Sequence, residues 1–156
     1  MNLSVDIIFP TCDRNPTDSL KSVINQTFKD YKIIICNDGN EKILDITQNF
    51  FNEHKFRNYL VIDPGKKYQG ASATRNKCLE AGSGKYLAYL DDDDTYYSNH
   101  LETLVTYLNS HPDVDFVFSK AWGIRGKDCK AIRAEIWVED LPNGKAKGFL
   151  PAPYYQ

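Results

Sequence analysis

The segment Ile33-Ile34-Ile35, inside the run Tyr31–Cys36, constrains the fold most, because it is too continuously apolar to have a wet face. A strand of that kind is buried on both sides, which in a soluble domain means a mostly parallel sheet with helices above and below. Other segments supply its partners. Val5-Asp6-Ile7-Ile8-Phe9 reads as a first strand closed by Pro10, Tyr59–Ile62 as a third and Tyr86–Leu90 as a fourth, buried one. Val114–Phe118 and Ala131–Val138 read as a fifth and a sixth. Between them the apolar spacing is helical, at Leu20, Val23, Ile24 and Phe28, then at Ile43, Ile46 and Phe50 with Leu44 and Phe51 on the flank. A third helix spans Ala71–Ala81, with Gly82 just past its end, and a fourth buries Leu101, Leu104, Val105 and Leu108. Asn15 can cap the first helix with Pro16 at its first position, and Asn99 with Glu102 resembles a capping box. The expected class is α/β, organised as one domain over residues 1–156 with an irregular, Pro- and Gly-bearing tail over 141–156 that could be cut from something longer.

Composition excludes several classes of function. A length of 156 residues is ample for one hydrophobic core, and 42% apolar with 26% charged residues is globular rather than disordered. The longest unbroken apolar run, Tyr86–Leu90, has five residues, against roughly 20 for a membrane span. The first ten residues carry Asp6 and no basic stretch, so no secretory signal is read and a cytoplasmic location is expected, with a peripheral place at the inner membrane face also compatible. A net charge of -2 argues against nucleic acid as a partner. That negative charge is local: apart from Asp91–Asp94, 19 basic residues face only 17 acidic ones. Cys12, Cys36, Cys78 and Cys129 are far apart and read as reduced thiols.

In open α/β sheets, ligands bind outside the carboxyl ends of the strands. The polar residues at those ends are Thr11, Asp13 and Arg14 after the first strand, Asp38 after the second and Asp91–Asp94 after the fourth. Four consecutive aspartates at the mouth of a strand repel one another, and a hard divalent cation such as Mg²⁺ or Mn²⁺ offsets that repulsion. A solvated acidic turn is the alternative. Gly70-Ala71-Ser72-Ala73-Thr74-Arg75-Asn76 opens a helix with small residues, which lets an anion approach the helix N-terminus, with Arg75 about one turn in. Neither a dinucleotide fingerprint nor a P-loop is present.

These same residues resemble the inverting family-2 glycosyltransferases of GT-A fold. The matching stretches are Val5–Thr11, Leu20–Phe28, Ile34–Gly39, Gly70–Asn76 and Tyr89–Asp94, and they cover residues 3 to about 120. The resemblance implies a Rossmann-like GT-A domain that takes a nucleoside-diphosphate sugar. It implies that the Pro10-Thr11 loop and Asp38 hold the base, that Asp13 belongs to the nucleotide-sugar site, and that Arg75 lies near the base or diphosphate. Asp91 and Asp92 are then expected at the ribose or diphosphate, and Asp93, with Asp91, at Mn²⁺ or Mg²⁺. Cys12 and Asp13 stand where the family usually has an aromatic residue and an Asn, which removes a stacking surface for the base.

The implied reaction is transfer of the sugar to an acceptor hydroxyl with inversion, the metal neutralising the leaving diphosphate and a carboxylate serving as base. Polysaccharide biosynthesis is the implied setting, with a glycan, a lipid-linked or a protein acceptor. In this family the base lies well beyond the metal motif, and Asp140 is the candidate here. Only 62 residues follow Asp94, so the chain is expected to end before the acceptor half is complete, with an apolar surface expected near Phe149, Tyr154 and Tyr155 that leads either to a homodimer or to rapid amide exchange after Leu141. Two other readings compete with a transferase. One is a nucleotide-sugar-binding domain without turnover. The other is a nucleotidyltransferase, although Asp13-Arg14-Asn15-Pro16 does not resemble the glycine- and basic-rich loop of that group.

Overall fold

A computed structural model describes residues 4–119, together with the backbone of 121–125 and 130–134. Elements alternate as β1 (Val5–Thr11), α1 (Thr17–Ile24), β2 (Tyr31–Asn37), α2 (Lys42–Glu53), β3 (Tyr59–Ile62), α3 (Ala71–Glu80), β4 (Tyr86–Tyr89) and α4 (His100–Ser110). The strands form a parallel sheet in the order β3-β2-β1-β4. This unit covers Met1–Leu101, and a second one covers Glu102–Gln156. Within the second, β5 (Ala121–Arg125) and β6 (Lys130–Ala134) pair antiparallel.

The two central strands are buried as the apolar run at Ile33 requires. Ile7 pairs with Ile33, Ile8 with Ile34 and Phe9 with Ile35, and all six are inaccessible to solvent. Successive side chains point to opposite faces, so both faces must be covered. On one face Ile8, Ile34 and Cys36 pack with Cys78 and Leu79 of α3. On the other, the Tyr31 hydroxyl donates to Val23 O of α1, and Phe56 past the end of α2 stacks on Tyr31. Each such apolar side chain stabilises the fold by roughly 1.5–3 kcal/mol on burial. Asp6 points to the α3 face and accepts the backbone N–H groups of Ser83 and Gly84, with Lys32 Nζ 3.5 Å away, which ties the turn before β4 to β1.

Four expectations need correction. Among the described residues β4 ends the sheet rather than lying buried within it, with Leu87 and Tyr89 49% and 50% exposed. Residues 114–118 form no strand, and the next strand is β5. Helix α1 starts at Thr17 with Pro16 in the cap position, although the Asn15 side chain still accepts the Thr17 N–H at 3.1 Å. β1 does not close at Pro10 but continues to Thr11, paired with Asn37. Pro10 instead ends the other ladder. Leu90 N–H donates to Ile8 O, and the next bond on that side needs an N–H at position 10, which proline lacks. The strand expected over Ala131–Val138 overlaps β6 up to Ala134, and 135–138 lie outside the described residues.

Candidate functional site

Because β1 leads to β2 on one side and the chain returns to β4 on the other, the strand order reverses at β1, and a crevice forms there at the carboxyl ends. Pro10 helps to open it by stopping the β1–β4 ladder. A cleft of about 300 Å³ occupies this position, the lower end of the range of roughly 300–1,000 Å³ typical for small-molecule sites. Its walls come from Pro10 and Thr11 at the end of β1, Cys12 and Arg14 after it, Asp38 after β2, the first turn of α3 and the aspartates after β4.

Side chains bridge the parted strands. Asp92 Oδ2 accepts both the Thr11 hydroxyl at 3.0 Å and the Cys12 N–H at 3.1 Å. Asp38 is buried, and its two oxygens accept the N–H groups of Gln69 at 2.9 Å and Gly70 at 2.7 Å. It thereby fixes the loop that enters α3. Gly70 has φ of +92°, a conformation that suits glycine, and its carbonyl starts the helix. At Gly39 the demand is close approach: a Cβ there would lie 2.5 Å from Asp13 Oδ1 and 2.7 Å from the Cys12 carbonyl carbon.

The acidic loop is partly neutralised, and anchored, by the chain itself. Arg75 Nη2 donates to both oxygens of Asp91, at 2.7 and 2.6 Å, and that contact raises the guanidinium pKa. Arg14 pairs with Asp93. From behind, the buried Gln26 amide donates to Ser22 O and Tyr97 O and accepts the Leu101 N–H. Carboxylate oxygens of Asp91, Asp93 and Asp94 lie within 4.8 Å of one another, a hard oxygen donor set that suits Mn²⁺ or Mg²⁺.

The structure thus brings Pro10, Thr11, Asp38, Asp91, Asp92 and Asp93 together, with Arg75 joined through Asp91. Asp13 stands apart from the cleft wall, with Oδ1 accepting the Asn40 N–H at 2.8 Å. Asp140 lies outside the described residues. Sequence reasoning named Asp94 only as a member of the run Asp91–Asp94, without a role of its own, and did not single out Gln26 or the ion pair of Arg14. Gln26 follows an apolar helix face without breaking its pattern, so no local signal distinguishes it.

A family model described as glycosyl transferase family 2 matches residues 6–144. The chain belongs to that family. A cholesterol galactosyltransferase of Borreliella burgdorferi is 34% identical over 155 residues, spanning 98% of this chain and 38% of that protein. An uncharacterized glycosyltransferase of Rickettsia bellii is 33% identical over 117 residues, spanning 74% of this chain and 16% of that one. Among solved structures, Staphylococcus aureus TarS 1-349 in complex with UDP-GlcNAc superposes with a TM-score of 0.63 at 20% identity, covering 70% of this chain and 32% of that one. The mannosyltransferase PcManGT of Pyrobaculum calidifontis, in complex with GDP-Man and Mn²⁺, gives 0.63 at 16% identity, covering 70% and 33%. These likenesses show the GT-A fold. This family-2 chain therefore spans between 16% and 38% of the length of the two relatives. No helix among its described residues is long and apolar enough to cross a membrane.

Proposed function

We propose that this chain is the nucleotide-sugar-binding part of a metal-dependent, inverting glycosyltransferase that moves a sugar from a nucleoside-diphosphate sugar to an acceptor hydroxyl. The observation that carries the reading is the cleft at the strand-order reversal, walled by a helix N-terminus on one side and by acids with convergent oxygens on the other. UDP-GlcNAc in TarS, and GDP-Man with Mn²⁺ in PcManGT, support the same ligand class here.

Asp91, Asp93 and Asp94 are the residues that would hold the ion. When bound, a divalent cation supplies positive charge against the departing diphosphate. The chain's own groups do the remaining work. Gly70 and Ala71 leave the first turn of α3 open to the cleft, where N–H groups beyond Gly70, whose own N–H is taken by Asp38, would favour a phosphate. Arg75 is held by Asp91 within reach of the same region. Thr11 and Asp92 fix the floor between β1 and β4. Asp38 shapes the base end by pinning residues 69 and 70. Asp140 is the proposed base toward a glycan, lipid-linked or protein hydroxyl, and a homodimer through the region of Phe149, Tyr154 and Tyr155 accompanies this reading.

The test is thermal unfolding of wild type and Asp93→Asn with uridine or guanosine diphosphate, with and without Mn²⁺. A ligand that binds only the native state raises the melting temperature. Wild type is expected to gain stability from diphosphate and Mn²⁺ together, and Asp93→Asn to lose most of that gain. Equal gains in both proteins would remove Asp93 from the metal site. Because the chain spans a minority of each relative, binding without turnover is a second reading. Formation of free nucleoside diphosphate from a nucleotide-sugar and acceptor separates the two.

A further inference from the structure

Tyr68 is more exposed than any other large apolar side chain among the described residues, at 67%. It also holds a left-handed backbone, with φ of +57°, which a residue bearing a Cβ adopts only when its surroundings impose it. Here Asp38 imposes it. The Tyr68 N–H donates to Asp38 O at 2.6 Å, while the next two N–H groups go to the Asp38 carboxylate. The Tyr68 hydroxyl lies 3.5 Å from Asp13 Oδ1, a long contact that places the ring across the loop after β1. Strain and exposure together gain the fold nothing in packing. Tyr68 is not itself part of the cleft wall, but its backbone is bonded to Asp38 and it precedes Gly70 by two residues, both of which are, so an exposed aromatic ring stands next to the wall.

We propose that the ring of Tyr68 is the surface on which the base of a nucleoside diphosphate stacks. The inference rests on the nucleotide reading of the cleft and assigns its two ends. β4, which carries the clustered carboxylates and the proposed ion, lies on one side of β1, and β2, whose following loop holds Tyr68, lies on the other. Asp13 and Asp38 bring negative charge to the hydroxyl and backbone of Tyr68, where they can accept from the ring N–H groups of an uncharged base, while the preceding Lys67 turns its Nζ to Asn37 O at 3.0 Å. The charge of Asp13 also pushes the Tyr68 hydroxyl pKa up, so the ring stays neutral beside an anionic ligand. Cys12, on the opposite loop, offers a thiol and no ring.

The experiment measures dissociation constants by calorimetry in Mn²⁺ for uridine diphosphate, guanosine diphosphate and inorganic pyrophosphate. The proteins are wild type, Tyr68→Phe and Tyr68→Gly. Glycine takes the left-handed φ without strain, so the loop path is kept, and an unchanged urea midpoint verifies the fold. Tyr68→Gly is expected to weaken the nucleoside diphosphates by about 5- to 150-fold, the range for loss of one base–aromatic stack. Tyr68→Phe should bind them as wild type does, and pyrophosphate should bind all three proteins equally. Wild-type affinity of Tyr68→Gly for both nucleotides would overturn the inference and leave the nucleotide reading standing. An equal loss for pyrophosphate would also overturn it, since the residue would then act on the phosphate end through the loop. If wild type binds neither nucleotide, the nucleotide reading fails and this inference fails with it.

Discussion

Asp38→Asn is a nearly isosteric change whose cost follows from two hydrogen bonds. The carboxylate is buried and accepts from Gln69 N–H and Gly70 N–H, one on each oxygen. An asparagine offers one oxygen and one NH₂ group, so one of those backbone donors must face another donor. The loss is one charge-assisted hydrogen bond, worth about 1.5–3 kcal/mol, plus the cost of a stranded N–H, about 1–3 kcal/mol when buried. Both contacts are only partly buried, which places the sum at about 2–4 kcal/mol. Urea unfolding at neutral pH reads this as a lower midpoint with an unchanged slope. The damage should extend to ligand affinity, because Gly70 opens α3 and Tyr68 donates to Asp38 O. An Asp38→Asn protein with the wild-type midpoint would refute the view that this carboxylate pins the loop.

Two further outcomes are expected. Gly39→Ala places a methyl 2.7 Å from backbone at Cys12, so the loops after β1 and β2 must part, at about 1–3 kcal/mol in urea unfolding and with weaker diphosphate binding by calorimetry. His100, packed on Tyr96, has its pKa lowered to about 4 from an ordinary 6.5 by burial. Between those values the unfolded chain takes up a proton that the folded one refuses, so stability falls as pH drops from about 6.5 to 4 and this contribution levels off below. The loss is about 1–3 kcal/mol, and a His100→Asn variant should show a correspondingly flatter pH profile in chemical denaturation.

How much of this was legible depends on what kind of neighbour each residue meets. Ile33-Ile34-Ile35 announces a strand buried on both faces, and β2 is one. Tyr86–Leu90 has the same apolar continuity, yet β4 ends the sheet among the described residues, and Leu87 and Tyr89 are exposed. Apolar continuity records what a strand tolerates and not which strand lies beside it. The same limit applies to Val114–Phe118, which forms no strand, while β5 and β6 pair antiparallel within a plan read as mostly parallel. The site was legible where chemistry concentrates at strand ends, at Thr11, Asp38 and Asp91–Asp93. It was not legible where a residue works through backbone shape: Tyr68 looks like any loop aromatic until its φ and its contacts with Asp13 and Asp38 are seen.

The four aspartates show why a residue run is a weaker argument than its geometry. From sequence, their mutual repulsion alone suggests a cation. In the fold the four carboxylates are distributed among different tasks. Asp91 engages Arg75, Asp93 engages Arg14, and Asp92 ties the Thr11 hydroxyl and Cys12 N–H across the gap that Pro10 opens. Two of the four charges are therefore met by guanidinium groups, and repulsion no longer demands a metal by itself. What argues for one is convergence, with oxygens of Asp91, Asp93 and Asp94 close enough to share a ligand and Asp92 turned to another purpose. Asp91, Asp93 and Asp94 would hold a divalent ion, and since Asp93 and Asp91 also serve Arg14 and Arg75, those two guanidinium groups would be left able to meet an anionic ligand bound with the ion. Metal and diphosphate should accordingly bind more tightly together than either does alone, for a reason built into the two ion pairs of this loop.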